Sequence, residues 1–345
     1  MTLIFTADDY GAYKEIDDGV VLAVQNGWLN SVAMLANGHD MDLSVSKILP
    51  LQQAKKVDLG LHFTMNSGKA LSKEMQVNHH FTHKGHFRPF FNMNIGDILR
   101  KKYQAQNMHD LKAELRAQID ALRAHGVEVK HLSSHFNVLH FYPEFLRVQF
   151  EVLAEPEYNE IKIRSTNVKP KFSRYLLPLL ARGTNRFIGE IEQTGDYERL
   201  SYNKRWERHM KAVADWVAHY EKEHPTPKMP SELDGFHYQA IGSLGISHST
   251  KNRKAKRKGR KIERRIFQKH RKKISSEFLF HLADPNFMSQ VAPNMSRRAF
   301  KEYLNDKYAG VTPKYMDNRH IEYKSGDWFR TISSYQLDPQ PWSKI

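Results

Sequence analysis

Met1-Thr2-Leu3-Ile4-Phe5-Thr6-Ala7-Asp8-Asp9 reads as a short apolar strand over residues 2–7 that runs into a polar turn. The next residues supply a helix and then another strand. Asp17 and Asp18 are placed to cap a helix carrying Val20, Val21 and Val24, and Gly27 is placed to stop it. Ser31 to Ala36 reads as a second strand, ended by Asn37-Gly38, and Val57 to Phe63 alternates like a third. An amphipathic helix is predicted from about Asp110 to His125, with Leu111, Leu115, Ile119 and Leu122 on one face and Gly126 as its left-handed stop. Val127 to Leu132 reads as the next strand, Pro143 opens another helix, and Ile161 to Arg164 is again strand-like. Residues 203–224 are helical in pattern, and 234–241 and 277–282 read as later strands. Strands alternating with helices predict a mainly parallel sheet with helices outside. The fold class is therefore α/β, and the length of 345 residues suits a distorted, TIM-like (β/α) barrel. We read 1–345 as a single domain with two insertions, a loop-rich one at 66–98 and a basic, exposed one at 251–273.

Composition narrows the classes. With 40% hydrophobic and 26% charged residues the chain looks like an ordinary globular protein. No apolar run is long enough for a membrane span, and the first residues lack the basic region of a signal peptide. Zero cysteines exclude disulfides, thiolate metal sites and a cysteine nucleophile. We expect a cytoplasmic protein. The net charge of +15 is local, because residues 251–273 carry +13 of it. That run is either a solvated insertion or a contact for an anionic partner such as RNA, a membrane surface or an acidic glycan.

On this strand assignment, Asp8-Asp9, His62, His135 and His281 all fall at or near strand C-terminal ends. In a parallel barrel those ends converge on one face, where active sites are built. One carboxylate and two imidazoles make a site for a divalent metal, and a second carboxylate beside them can take a proton from water. Each residue also has a plainer reading: adjacent aspartates serve turns, and most of the 19 histidines cannot be ligands. His131, His135 and His140 compete for one role. Phe81, Phe87, Phe90 and Phe91 read as a ligand-stacking lid, a homodimer contact or core beneath a long loop.

Several blocks resemble a known family. Thr6-Ala7-Asp8-Asp9-Tyr10-Gly11 is similar to the Ala-Asp-Asp-Phe-Gly signature of the YdjC-like carbohydrate deacetylases, which include the chitooligosaccharide deacetylases. Leu59 to Thr64 with Ser67 to Leu71, Lys84 to Pro89, His131 to His135, and Phe278 to His281 resemble that family's later blocks, in family order. The resemblance implies a divalent metal, Mg2+ or Zn2+, on Asp9, His62 and His135, with Asp8 as base and His281 as acid. It implies an N-acetylated sugar as substrate and a basic residue near Ile161 to Ser165. Lys162 and Arg164 both fit there, and we take Arg164, with Phe87, as a substrate contact. The chain departs from the family where an acidic residue is replaced by Ser133 and a His-x-His pattern by Asn137-Val138-Leu139-His140. The expected function is removal of an acetyl group from amino sugars. The alternatives are the same metal site acting on another amide or ester, or a polyanion-binding protein on a degenerate deacetylase fold.

Overall fold

A computed structural model describes residues 3–27, 29–89, 93–140, 142–165, 202–230, 232–234, 276–280 and 342. The opening segment forms β1 (Leu3–Tyr10), longer than the strand expected at 2–7, and it continues through both aspartates. Next along the chain are α1 (Lys14–Gln25), β2 (Ser31–Met34), α2 (Met41–Gln53) and β3 (Asp58–Phe63). The excursion after β3 is not bare loop. It holds α3 (Lys73–Val77), the hairpin β4 (Thr82–His83) with β5 (His86–Phe87), and α4 (Ile95–Ile98). Then come α5 (Lys101–Ala124), β6 (Val129–Ser134), a 3-10 turn (His135–His140), α6 (Pro143–Leu153), β7 (Lys162–Ile163), α7 (Tyr202–Glu223), β8 (Glu232–Asp234) and β9 (Ser276–Phe280).

Seven of these strands form one sheet in the order β7-β6-β3-β2-β1-β9-β8. Every pairing in it is parallel. The fold is α/β, as expected. The sheet curls. Four inter-strand steps separate β7 from β1, about 19 Å on a flat sheet. Yet Arg164, one residue past β7, places its guanidinium 2.7 and 2.8 Å from the carboxylate of Asp8 on β1. No side chain spans the flat distance, so the concave face wraps around the residues between, in the manner of a distorted barrel.

The two faces differ in chemistry. Phe5, Ala7, Val32, Leu59, Leu61, Phe63 and Leu132 are buried in the hydrophobic core. The helices α1, α2, α5 and α6 add Ile16, Val20, Ile48, Leu111, Leu115, Ile119, Phe145 and Phe150 to it. The alternate residues line the concave interior with polar groups. Thr6 donates to Ser31 Oγ at 3.0 Å, and Ser31 Oγ lies 2.9 Å from His131 Nε2. Trp342 joins them from far along the chain. Its indole donates to Ser31 Oγ at 2.9 Å and stacks on His131 at 4.6 Å between ring centres. Gly60 is required here, since a Cβ would lie 2.4 Å from the His131 ring.

Some element boundaries differ from the expectation. Helix α1 starts at Lys14, with Tyr13 at its N-cap, and Asp17 is drawn inside instead of capping. Asp40 caps α2 by accepting from Leu43 N–H, and the helix runs on through Pro50, a residue whose presence obscures it in the sequence. Gly27 and Gly126 adopt the positive φ expected of helix stops. No helix among the described residues is long and apolar enough to cross a membrane.

Candidate metal centre and active site

Consecutive residues on a regular strand face opposite ways, so Asp8 and Asp9 need a local device to serve one site. Asp9 supplies it. Its φ is 65°, in the left-handed region, and the pairing of β1 with β2 shifts register between Ala7 and Tyr10. Asp tolerates this conformation better than most residues, although it still costs about 1–2 kcal/mol. The turn that holds it is heavily anchored. Leu35 N–H donates to Tyr10 C=O at 2.8 Å, and His39 N–H to Gly11 C=O at 3.0 Å. Gly11 N–H donates to Asp17 at 2.7 Å. Burial pushes the Asp17 carboxyl up to about 6, against the opposing pull of its bonds to Ser44 and Gly11.

Asp9 then stands between two imidazoles. Its Oδ1 is 3.1 Å from His62 Nε2 and 2.8 Å from His135 Nδ1. The two rings meet edge to face, 5.2 Å apart. One ligand atom from each residue lies within 4.8 Å of the others, and all three residues are buried. Asp8 is the near neighbour, with Oδ2 4.0 Å from His62 Nε2. A carboxylate and two imidazoles converging in a buried pocket fit a divalent cation, with coordination positions left for water and substrate. Among the described residues no other group of His, Asp or Glu meets this test. His79, His80, His83 and His86, close in sequence, form no such group among the described residues.

Of the three competing histidines, His135 is the one that joins the cluster. His131 is occupied by Ser31 and Trp342, and burial holds it down at about 3, hence neutral. His140 is also buried and held at about 3, and neither of its ring nitrogens has a hydrogen-bond partner among the described residues.

A YdjC-like protein model matches residues 2–312. The chain belongs to the YdjC-like family. It is 27% identical over 155 residues to a carbohydrate deacetylase of Vibrio parahaemolyticus, covering 45% of this chain and 56% of that one. It is 29% identical over 135 residues to a carbohydrate deacetylase of Thermoanaerobacter pseudethanolicus, covering 39% and 49%. The matched region thus spans about half the length of these relatives. A crystal structure from Enterococcus faecalis V583, provisionally assigned to cellobiose-phosphate cleavage, superposes with a TM-score of 0.58 at 15% identity. It covers 99% of this chain and 97% of that one, which supports the fold.

Two residues expected to contact substrate make other contacts in this YdjC-like chain. Arg164 meets two carboxylates. It is fully buried and gives two hydrogen bonds to Asp8 and two, at 2.8 and 3.0 Å, to Glu277. A guanidinium between two buried carboxylates is retained there by charge, and Arg164 is correspondingly held well above the usual arginine range. Phe87 is 6% exposed and joins the core with Phe81, so it packs the hairpin down and offers no stacking face. Phe90, Phe91, His281 and the run 251–273 lie outside the described residues. One residue of the site, Glu277, escapes the reading of the sequence, although a lone carboxylate entering an otherwise apolar strand is a signal. Ser133 is legible only as a departure from the family pattern, and Asp17 only as a helix cap.

Proposed function

We propose that this protein is a metal-dependent hydrolase that removes the acetyl group from N-acetylated amino sugars or their oligosaccharides. The observation that carries the reading is the buried cluster of Asp9, His62 and His135 with Asp8 beside it. Its family membership and the names of its relatives agree with it. Asp9, His62 and His135 would hold the cation. When bound, a divalent ion such as Mg2+ or Zn2+ would supply positive charge that polarises the amide carbonyl and makes water more acidic, to near neutral pH in the case of zinc.

The remaining chemistry belongs to the chain. Asp8 accepts the proton of the attacking water. Arg164 fixes the Asp8 carboxylate by a two-point bond, which leaves each oxygen a further lone pair for that proton. Glu277 balances Arg164 from the other side. His281 protonates the departing amine, which would otherwise be a poor leaving group. Burial of the cluster strengthens each of these electrostatic contacts. The test is acetate release from N-acetylchitobiose by the metal-loaded protein. Activity in the wild type and its loss in Asp8→Asn with metal retained support the roles; metal retained with no acetate released from any N-acetylated sugar refutes the substrate assignment.

The concentration of +13 in residues 251–273 favours a second, separate contact with an anionic partner. Binding of RNA or an acidic glycan that weakens steeply with salt, and is lost when 251–273 is deleted, would support it. Salt-independent binding would argue against it.

A further inference from the structure

His62 faces the cluster with Nε2, and its other ring nitrogen, Nδ1, lies 2.8 Å from Ser133 Oγ. Both residues are buried. To ligate a cation, Nε2 must offer its lone pair, so the ring proton must sit on Nδ1 and Ser133 must accept it. A hydroxyl can accept in this way while its own hydrogen turns to Leu61 C=O, 3.4 Å away. It can equally donate to Nδ1. Nε2 then carries the proton and donates to Asp9, 3.1 Å away. A carboxylate in this place could only accept, and would fix the ligating form.

We propose that Ser133 is a positioning residue that leaves His62 free to hold its proton on either nitrogen, and that this makes the metal centre weakly and reversibly loaded. The proposal rests on the metal-centre reading above. Partners behind a ligating histidine typically change metal affinity by about 10–100-fold. The serine therefore sets affinity without touching the cation.

The test uses the full chain at pH 8 and Zn2+ as probe. Zinc affinity is measured by competition with a chromophoric chelator for the wild type, Ser133→Asp, Ser133→Ala and His62→Ala. The ring tautomer of His62 in metal-free protein is read by 15N NMR. We expect Ser133→Asp to bind zinc at least tenfold more tightly and to hold His62 as the Nδ1–H form. Ser133→Ala should bind at least tenfold more weakly, because Nδ1–H then lacks an acceptor. The wild type should show Nε2–H or both forms. A Ser133→Asp protein that folds and binds zinc no more tightly overturns the proposal, as does a wild type already fixed as Nδ1–H. If Ser133→Asp does not fold, the wild-type tautomer and the Ser133→Ala affinity decide. The two levels separate cleanly. Zinc bound to wild type but not to His62→Ala, without tightening in Ser133→Asp, rejects only the serine's role. A wild type that binds no zinc rejects the metal centre as well.

Discussion

Replacing Arg164 with methionine should destabilise the fold and silence the site together. Methionine roughly keeps the length of the side chain and removes its charge. Four hydrogen bonds at 2.7 to 3.0 Å disappear, and two buried carboxylates, Asp8 and Glu277, are left facing one another. Breaking a buried pair from one side costs about 3–5 kcal/mol, because the remaining charge stays buried without compensation. For 345 residues the unfolding entropy is roughly 0.7 kcal/mol/K, so the midpoint should fall by about 4–7 °C. Differential scanning calorimetry on the metal-free protein measures this without involving the cation. Adding Glu277→Gln to Arg164→Met should recover part of the loss, since one of the stranded charges is gone; the two changes are in contact and should not add. Arg164→Lys keeps the charge but not the two-point geometry, and should fall between. In catalysis, the effect should appear in kcat, through Asp8. A midpoint unchanged within a degree, with only KM for the sugar raised, would show that Arg164 meets substrate and holds neither carboxylate.

The buried groups lead to further outcomes. His131 is held at about 3 against an ordinary value of 6.5, so the stability it contributes is present above pH 6.5 and drains away as pH falls toward 3. Between pH 7 and 4.5 that amounts to about 3 kcal/mol, which urea denaturation of wild type against His131→Gln should show as a flatter pH dependence in the variant. Asp17 has the opposite sign. Its value is raised from 3.8 to about 6, so its contribution is complete below pH 3.8 and is lost as pH rises through 6. Asp17→Asn should therefore gain on the wild type by up to about 3 kcal/mol between pH 4 and 7, and a variant that loses ground over that range would show the charged form to be the better accommodated. Phe87→Ala should cost about 3–5 kcal/mol in thermal or urea unfolding, as a core truncation does, with sugar affinity of the surviving folded protein unchanged. Loss of sugar binding at constant stability would restore the lid.

How much of the site is legible in the sequence depends on how local each signal is. Asp9, His62 and His135 can be read because each sits at the end of a strand, and a parallel sheet brings such ends together. Consecutive aspartates on a strand face opposite ways, so one has to be re-aimed; Asp9 itself turns, and Gly11 two residues on is also at positive φ. Periodicity does not separate His135 from His131, since the two would share a face if the strand ran on to residue 135, whereas it ends at Ser134 and His135 opens the 3-10 turn. The choice is made by Trp342, some 200 residues away, which occupies His131. Arg164 stands out in the sequence, but not its true neighbours. Its partners lie on β1 and β9, and that proximity exists only because the sheet curls. Phe87 looks like a ligand surface because its loop is polar, yet it is buried with Phe81 in the core. Helix α2 is hidden by Pro50, whose effect on the pattern outweighs the cap at Asp40.

Every proposed step depends on a cation held by Asp9, His62 and His135. Equilibrium dialysis of the purified full chain against Zn2+ or Mg2+, with the metal counted per chain and acetate release followed in the same samples, addresses that cation directly. About one ion per chain is expected in the wild type and in Asp8→Asn, close to none in Asp9→Ala and His62→Ala, and acetate only from the wild type. Undiminished metal and acetate release in His62→Ala would contradict the assignment.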